Sequence, residues 1–382
     1  MKILNINATL DPTKAGGTVE RTIQMSKYLS YNKDIEVSIL TLNLGLISKS
    51  IKSAIGINLI TIPCINKRFY LPLVFSRKIS ESIKKTDMVH LMGHWTVLNL
   101  LAYFWIRRYK KPYVVCPAGA LPIFGRSKLL KKIYNELGGK ACIRNANMNI
   151  AISESEYSHF FEYGVDFKKI TLLPNGIDPK SYIYKNDFKV REEFLIGSSP
   201  FLLFVGRLNL IKGPDLLLKA FSIIEKDYPN YLLIFAGFDD GMESSLKKEA
   251  EQYNISNKVS FIGFVEGPSK SELFHAADLL VIPSRLEAMS IVVLESAITG
   301  TPVLMTNTCG LNEMTGKYGA HAVKPDSNSI AEGLNLLLAD KKDLVLRGRK
   351  LKEYVEEKFS WDNIVEDYLD MYKKIILNLN NE

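Results

Sequence analysis

Phe201-Leu202-Leu203-Phe204-Val205-Gly206-Arg207-Leu208-Asn209-Leu210-Ile211-Lys212-Gly213 decides the fold. Five consecutive apolar residues closed by glycine read as a short buried strand, and a helical pattern follows the cationic loop. Open α/β sheets bind ligands beyond the carboxyl ends of their strands, where loops enter helices. Arg207 is expected at the end of that strand and Lys212 just before the helix. An arginine fork and a lysine point charge beside a helix N-terminus make a good diphosphate site. The competing reading is a pair of surface cations.

Outward from this stretch, short apolar runs alternate with helical patterns along the whole chain, which reads as repeated βα units around parallel sheets. Strands are expected at residues 2–8, 37–42, 59–63, 88–92, 113–116, 148–152 and 170–173. The second series holds 201–205, 231–236, 259–262, 279–282 and 302–305. Helices are expected at 127–137 and 153–163, and Ser153 with Glu156 three residues on forms a capping-box pattern. At 382 residues the chain exceeds the size at which one core keeps growing, so two domains are expected. Pro174-Asn175-Gly176-Ile177-Asp178-Pro179 is the strongest turn signal. The expected division is 1–178 with the last helix at 360–377, a linker at 179–199, and a second domain at 200–359.

A composition of 47% hydrophobic and 24% charged residues is that of an ordinary folded protein. Cys64, Cys116, Cys142 and Cys309 are scattered with no Cys-x-x-Cys pair, against a zinc ribbon or disulfide framework and in keeping with a reducing cytosol. The first residues turn polar too soon for a signal peptide, and the apolar run near 97–106 is broken by Asn99. A cytoplasmic protein is therefore expected. The formal charge of +8 admits nucleic acid, an anionic membrane or a phosphorylated ligand, or a solvated basic surface. No aromatic–basic nucleic-acid motif is present.

A second candidate site is Arg285-Leu286-Glu287-Ala288-Met289-Ser290-Ile291-Val292-Val293-Leu294-Glu295. A helix opening near Ser290 would set backbone N–H groups between two carboxylates, able to hold an anion flanked by hydroxyls. Two surface glutamates on an amphipathic helix fit as well. Gly16-Gly17, between the first strand and first helix, would let backbone approach a phosphate, or simply make a tight turn. No Gly-x-Gly-x-x-Gly follows the first strand, no P-loop or Asp-x-Asp occurs, and there is no Gly-x-Ser-x-Gly elbow. His90 and His94 are four apart, but Leu91 stands where a zinc protease carries glutamate, so they read as pocket lining or packing rather than metal ligands.

With these motifs in this order, the chain resembles the retaining GT-B glycosyltransferases of the glycosyl transferases group 1 family, the fourth family in sequence-based classification. The likeness covers nearly the whole chain. It is carried by Val205–Gly213, Phe261-Ile262-Gly263-Phe264-Val265, Ala277–Ser284, Glu287–Glu295 and Gly300-Thr301-Pro302-Val303. It implies an α/β fold of two Rossmann-like domains with parallel sheets facing across a cleft, the last helix crossing back to the first.

The resemblance also implies roles. Arg207 and Lys212 would neutralise the donor diphosphate, Glu295 would take ribose hydroxyls and Glu287 a sugar hydroxyl. Backbone around Met289, Ser290 and Ile291 would contact sugar and phosphate. Gly263, Phe264 and Val265 would lie beside the base, with Gly16 and Gly17 at the diphosphate from the first domain. No cofactor or metal is expected. Two departures stand out: Ala288 and Ser290 replace family glycines, and Ala118 stands where the family commonly has His or Arg. His90, His94 and Arg126 are candidates to supply that side chain on the acceptor side.

The expected activity is retaining transfer of a hexose from a nucleotide sugar to a glycan or lipid-diphosphate-linked saccharide, in bacterial surface polysaccharide biosynthesis. A sugar-nucleotide epimerase and a non-catalytic sugar-binding protein are the rivals. Lys128, Lys131 and Lys132 share one helix face beside Leu129, Leu130, Ile133 and Leu137, with Lys140 and Arg144 further on. This pattern fits contact with an anionic leaflet, or an amphipathic core helix with a solvated basic face.

Overall fold

The computed structural model describes residues 1–44, 57–67, 70–73, 77–123, 127–183 and 188–380. The chain divides into two compact units. The first is Met1–Gly176 with Trp361–Glu382, and the second is Ile177–Ser360.

In the first unit, β1 (Lys2–Ile6), β2 (Glu36–Leu42) and β3 (Ile57–Ile62) lie to one side of the sheet. A small antiparallel hairpin of β4 (Cys64–Asn66) and β5 (Leu71–Pro72) follows. Then come β6 (Met88–Met92), β7 (Tyr113–Cys116), β8 (Met148–Ala151) and β9 (Ile170–Leu172). The order is β3-β2-β1-β6-β7-β8-β9, every pair parallel. All five residues of β6 are buried, as helices covering both faces of a parallel sheet require.

The second unit repeats the plan with β10 (Phe201–Val205), β11 (Leu232–Ala236), β12 (Val259–Gly263), β13 (Leu279–Ile282), β14 (Val303–Thr306) and β15 (His321–Val323). Its order is β12-β11-β10-β13-β14-β15, the doubly wound 3-2-1-4-5-6 pattern. Both units are therefore Rossmann-like, and each reverses strand order once, between β1 and β6 and between β10 and β13.

Two local expectations need correction. Residues 127–137 are not one helix: Lys128–Tyr134 is α-helical and passes into a π-helical turn at Asn135–Gly139, where Gly138 has φ 129°. The capping box at Ser153 does not form. Ser153 Oγ pairs with Ser155 Oγ, while the Glu156 carboxylate accepts from the backbone N–H of Ile152 at 2.7 Å and of Gly119 at 2.5 Å. The segment read as a linker packs on the second unit where it is described: Arg191 donates to the carbonyls of Gly197, Ser199 and Ala276. The helix Trp361–Asn380 belongs to the first unit, with Trp361, Tyr368 and Tyr372 fully buried.

Candidate active site

At the switch point of the second unit, the loops leaving β10 and β13 are fastened together. Gly213 adopts φ 69°, and a Cβ there would stand 2.2 Å from the Pro283 carbonyl, so only glycine allows this approach. The Arg285 N–H donates to the Ile211 carbonyl at 2.7 Å. Its guanidinium grips both oxygens of Asp215 at 2.8 and 2.6 Å and the Leu210 carbonyl at 2.7 Å. A bidentate pair is rigid as well as strong.

This clamp brings two expected residues into direct contact. Lys212 Nζ donates to Glu287 Oε1 at 2.6 Å, with side chains 24% and 14% exposed. Ser284 Oγ donates to Glu287 Oε2 at 3.0 Å. Arg207 lies further out, 3.6 Å from Asp240, both half-exposed. The helix after Lys212 begins at Pro214, and Ser290 precedes the helix Ile291–Thr299.

The loop after β14 fixes the segment between the two glutamates. Glu287 N–H donates to the Thr308 carbonyl at 3.0 Å and Ser290 N–H to the Cys309 carbonyl at 3.2 Å. Gly310, at φ 70°, lets this loop approach so closely that a Cβ would stand 1.8 Å from the Ala288 carbonyl. Cys309 is buried beside the pair, and burial with the nearby Glu287 charge pushes its thiol up to about 12. One of the amides expected to meet a donor, that of Ser290, thus holds the loop instead. Met289 and Ile291 are buried, and Ser290 Oγ is buried with no hydrogen-bond partner among the described residues.

Glu295 is 4% exposed. Its Oε1 accepts from Tyr182 Oη at 2.8 Å and from Lys270 Nζ at 2.7 Å, while Oε2 lies 2.6 Å from the same ammonium outside hydrogen-bond geometry. Neither Tyr182 nor Lys270 carries a sequence signal of its own. They were reachable only through the fold, which sets both beside the helix bearing Glu295. Gly263 closes β12 at φ 73°, followed by exposed Phe264 and buried Val265.

In the first unit Gly16 interrupts the helix Pro12–Ser30 at φ 37°, ψ −112°, and Gly16 and Gly17 are exposed. His90 is fully buried in β6 and shares a hydrogen bond with Tyr372 Oη at 2.7 Å; burial, with the Arg21 charge adding, lowers its pKa to about 3. His94 is 2% exposed among Trp95, Tyr134 and Tyr163, with Asn135 Oδ1 at 3.1 Å from Nε2. Burial lowers its pKa to about 4 against the opposing Asn135 contact. Both histidines are neutral packing elements with no solvent-facing imidazole. Arg126 lies outside the described residues. Ala118 takes φ 50° in the loop that Glu156 ties down through Gly119.

The model of the glycosyl transferases group 1 family matches residues 186–357, and that of glycosyltransferase family 4 matches residues 15–181. The chain belongs to this GT-B glycosyltransferase family. Among relatives, it is similar to the D-inositol 3-phosphate glycosyltransferase of Nocardia farcinica, 28% identical over 75% of this chain and 66% of that protein. It is also similar to the lipopolysaccharide 1,2-N-acetylglucosaminetransferase of Salmonella typhimurium, 29% identical over 56% of this chain and 59% of that one. The chain thus spans between about half and two thirds of the length of the curated relatives it matches. Anabaena HepE, solved in complex with UDP and glucose, shares the fold with a TM-score of 0.81 at 19% identity, over 98% of this chain and 100% of that one. Among the described residues no helix is long and apolar enough to cross a membrane, and no group of three or more His, Cys, Asp or Glu is placed to hold a metal ion.

Proposed function

We propose that the chain is a retaining hexosyltransferase. Its second unit binds a nucleotide-diphosphate sugar, and its first unit takes a glycan or lipid-diphosphate-linked saccharide presented at an anionic membrane face. The observation that carries this reading is the Lys212–Glu287 pair at the switch point, a cation and a carboxylate 2.6 Å apart that a phosphate and a sugar hydroxyl can each enter. HepE's UDP and glucose support a nucleotide-sugar donor, and the Salmonella relative's name supports a surface-polysaccharide setting.

In this reading the ammonium of Lys212 and the guanidinium of Arg207 face the diphosphate. Glu287 accepts from a sugar hydroxyl, and Glu295, held by Tyr182 and Lys270, from the ribose hydroxyls. The N–H groups of the first turn from Ile291 add positive potential at the phosphate. The bond between the anomeric carbon and the diphosphate oxygen breaks as an oxocarbenium-like centre forms. The acceptor oxygen bonds on the same face, and its proton passes to the departing phosphate. Charge grows on that phosphate, where preorganised cations stabilise it. No carboxylate nucleophile and no metal are assigned.

Incubation with UDP-, GDP- and dTDP-hexoses tests the reading, after a thermal-shift screen selects the donor that raises stability. The expected result is transfer with the donor's anomeric configuration kept, persisting in chelator. Isomerisation of the donor without acceptor, or binding without turnover, would replace transfer by epimerisation or simple recognition.

A further inference from the structure

The helix Lys128–Tyr134 and the turn after it have their amphipathicity reversed. A surface helix normally buries its apolar stripe. Here none of the seven helical residues is buried, and Leu129, Leu130, Ile133 and Leu137 are 71%, 53%, 45% and 73% exposed. At 100° per residue Leu129, Ile133 and Leu130 fall in one arc, and Leu137 follows at the next i+4 position. Lys128 and Lys132 lie along one edge of that arc and are exposed.

The opposite side anchors the helix to its unit. Tyr134 Oη donates to the His94 carbonyl, and Asn135 meets His94 and Tyr163. The Lys131 ammonium sits 5.3 Å from the Trp95 ring centroid. The orientation is therefore set by specific contacts, and it turns the leucines outward. Water is a poor partner for such a stripe, and contiguous exposed apolar surface with a charged border marks an interaction site.

We propose that this face docks on an anionic lipid surface: Leu129, Leu130, Ile133 and Leu137 enter the acyl boundary while Lys128 and Lys132 meet headgroup phosphates. Charge selects the partner. Basic residues beside an apolar stripe suit an anionic interface, and the chain as a whole carries +8. The assignment deepens the proposed lipid-linked acceptor and rests on that reading for its purpose, though its binding measurement does not require turnover.

Vesicle sedimentation of the full chain, without donor or acceptor, is the test. Binding is expected to phosphatidylglycerol-containing vesicles and to be weaker with pure phosphatidylcholine. K128Q/K132Q should lower the partition coefficient on anionic vesicles about thirtyfold, at roughly fivefold per lysine, and leave it unchanged on neutral ones. L129S/I133S/L137S should abolish binding on both, with the urea midpoint of the first unit unchanged because these side chains are exposed. Equal binding by wild type and both variants, or none by any, overturns the proposal. So does a dimer in lipid-free solution that the serine variant dissolves, which would assign the face to a second copy. Transfer to a water-soluble acceptor separates the two claims: if it persists in variants that no longer bind vesicles, docking and chemistry are independent, and its absence in every form would count against the transferase alone.

Discussion

The two units share a strand order but use their cations in opposite ways. In the first, Arg21 is 1% exposed and donates to the carbonyls of Leu173 at 2.7 Å and Pro174 at 2.8 Å, to Asn175 Oδ1 at 2.8 Å and to Tyr368 Oη. It sews the helix after β1 to the turn at Pro174 and to the C-terminal helix. In the second, Lys212 has one carboxylate and a partly open side. A guanidinium surrounded by carbonyl oxygens has nowhere to go, whereas an ammonium held by a single rim carboxylate can exchange it for a phosphate. Burial and partner type separate scaffold from site better than charge does.

Arg21→Met should break that contrast most visibly. Removing the guanidinium leaves the Leu173 and Pro174 carbonyls and Asn175 Oδ1 without their donor, and buried unsatisfied acceptors cost about 1–3 kcal/mol each. Trp95, Trp105 and Trp361 all belong to the first unit, so urea unfolding followed by tryptophan fluorescence reads this unit alone. A loss under about 1 kcal/mol, the size of one ordinary hydrogen bond, would mean that the Arg21 network is not a fastening. Lys212→Ala should leave that midpoint in place and lower kcat by about 10²–10³, or roughly 3–4 kcal/mol of barrier, by analogy with losing one preorganised donor. Unchanged turnover would return Lys212 to an ordinary surface ion pair.

The same contrast explains what the sequence reveals and what it hides. Strand cores are legible because a parallel sheet buried on both faces needs unbroken apolar runs, and β6 and β7 fall where the runs at Met88 and Tyr113 put them. Lys212 and Glu287 are legible because both sit in strand-to-helix loops, and the fold brings those loops together at β10 and β13. Lys270 and Tyr182 are not, since a lysine within a helix and a tyrosine after a turn gain meaning only from the carboxylate they reach. The Ser153 capping box fails for a related reason. Glu156 is 1% exposed, and the two backbone N–H groups beside it, from Gly119 in a remote loop and Ile152, outcompete the local pattern. His90 and His94 look chemical in sequence because nothing there shows that both are sealed from water.

Those histidines give the first unit an acid sensitivity. Folded values of about 3 for His90 and about 4 for His94 lie below the unfolded value of 6.5, so below pH 6.5 the unfolded state binds more protons. Stability therefore falls as pH drops from 6.5, by up to about 1.4 kcal/mol per pH unit for each histidine, and neither contributes above that range. Glu156, pushed up by burial, works in the opposite direction where it protonates. Tryptophan-detected urea midpoints between pH 7 and 5 should show this slope, and His94→Asn should roughly halve it. A midpoint flat across that interval would mean the imidazoles titrate freely, against their burial.

The smallest expected effect decides the role of Arg207. Its partner Asp240 is 3.6 Å away and both are half-exposed, so Asp240→Asn should change stability by less than about 1 kcal/mol. If Arg207 faces the donor diphosphate, releasing it from Asp240 leaves transfer within about twofold, whereas Arg207→Gln lowers kcat/KM towards the Lys212→Ala value. If the guanidinium serves only Asp240, the two substitutions are equivalent, because each removes the same exposed pair. Equal and small losses in both variants would leave Lys212 as the cation that answers the growing phosphate charge, and would place Arg207 with the ordinary surface pairs of the second unit.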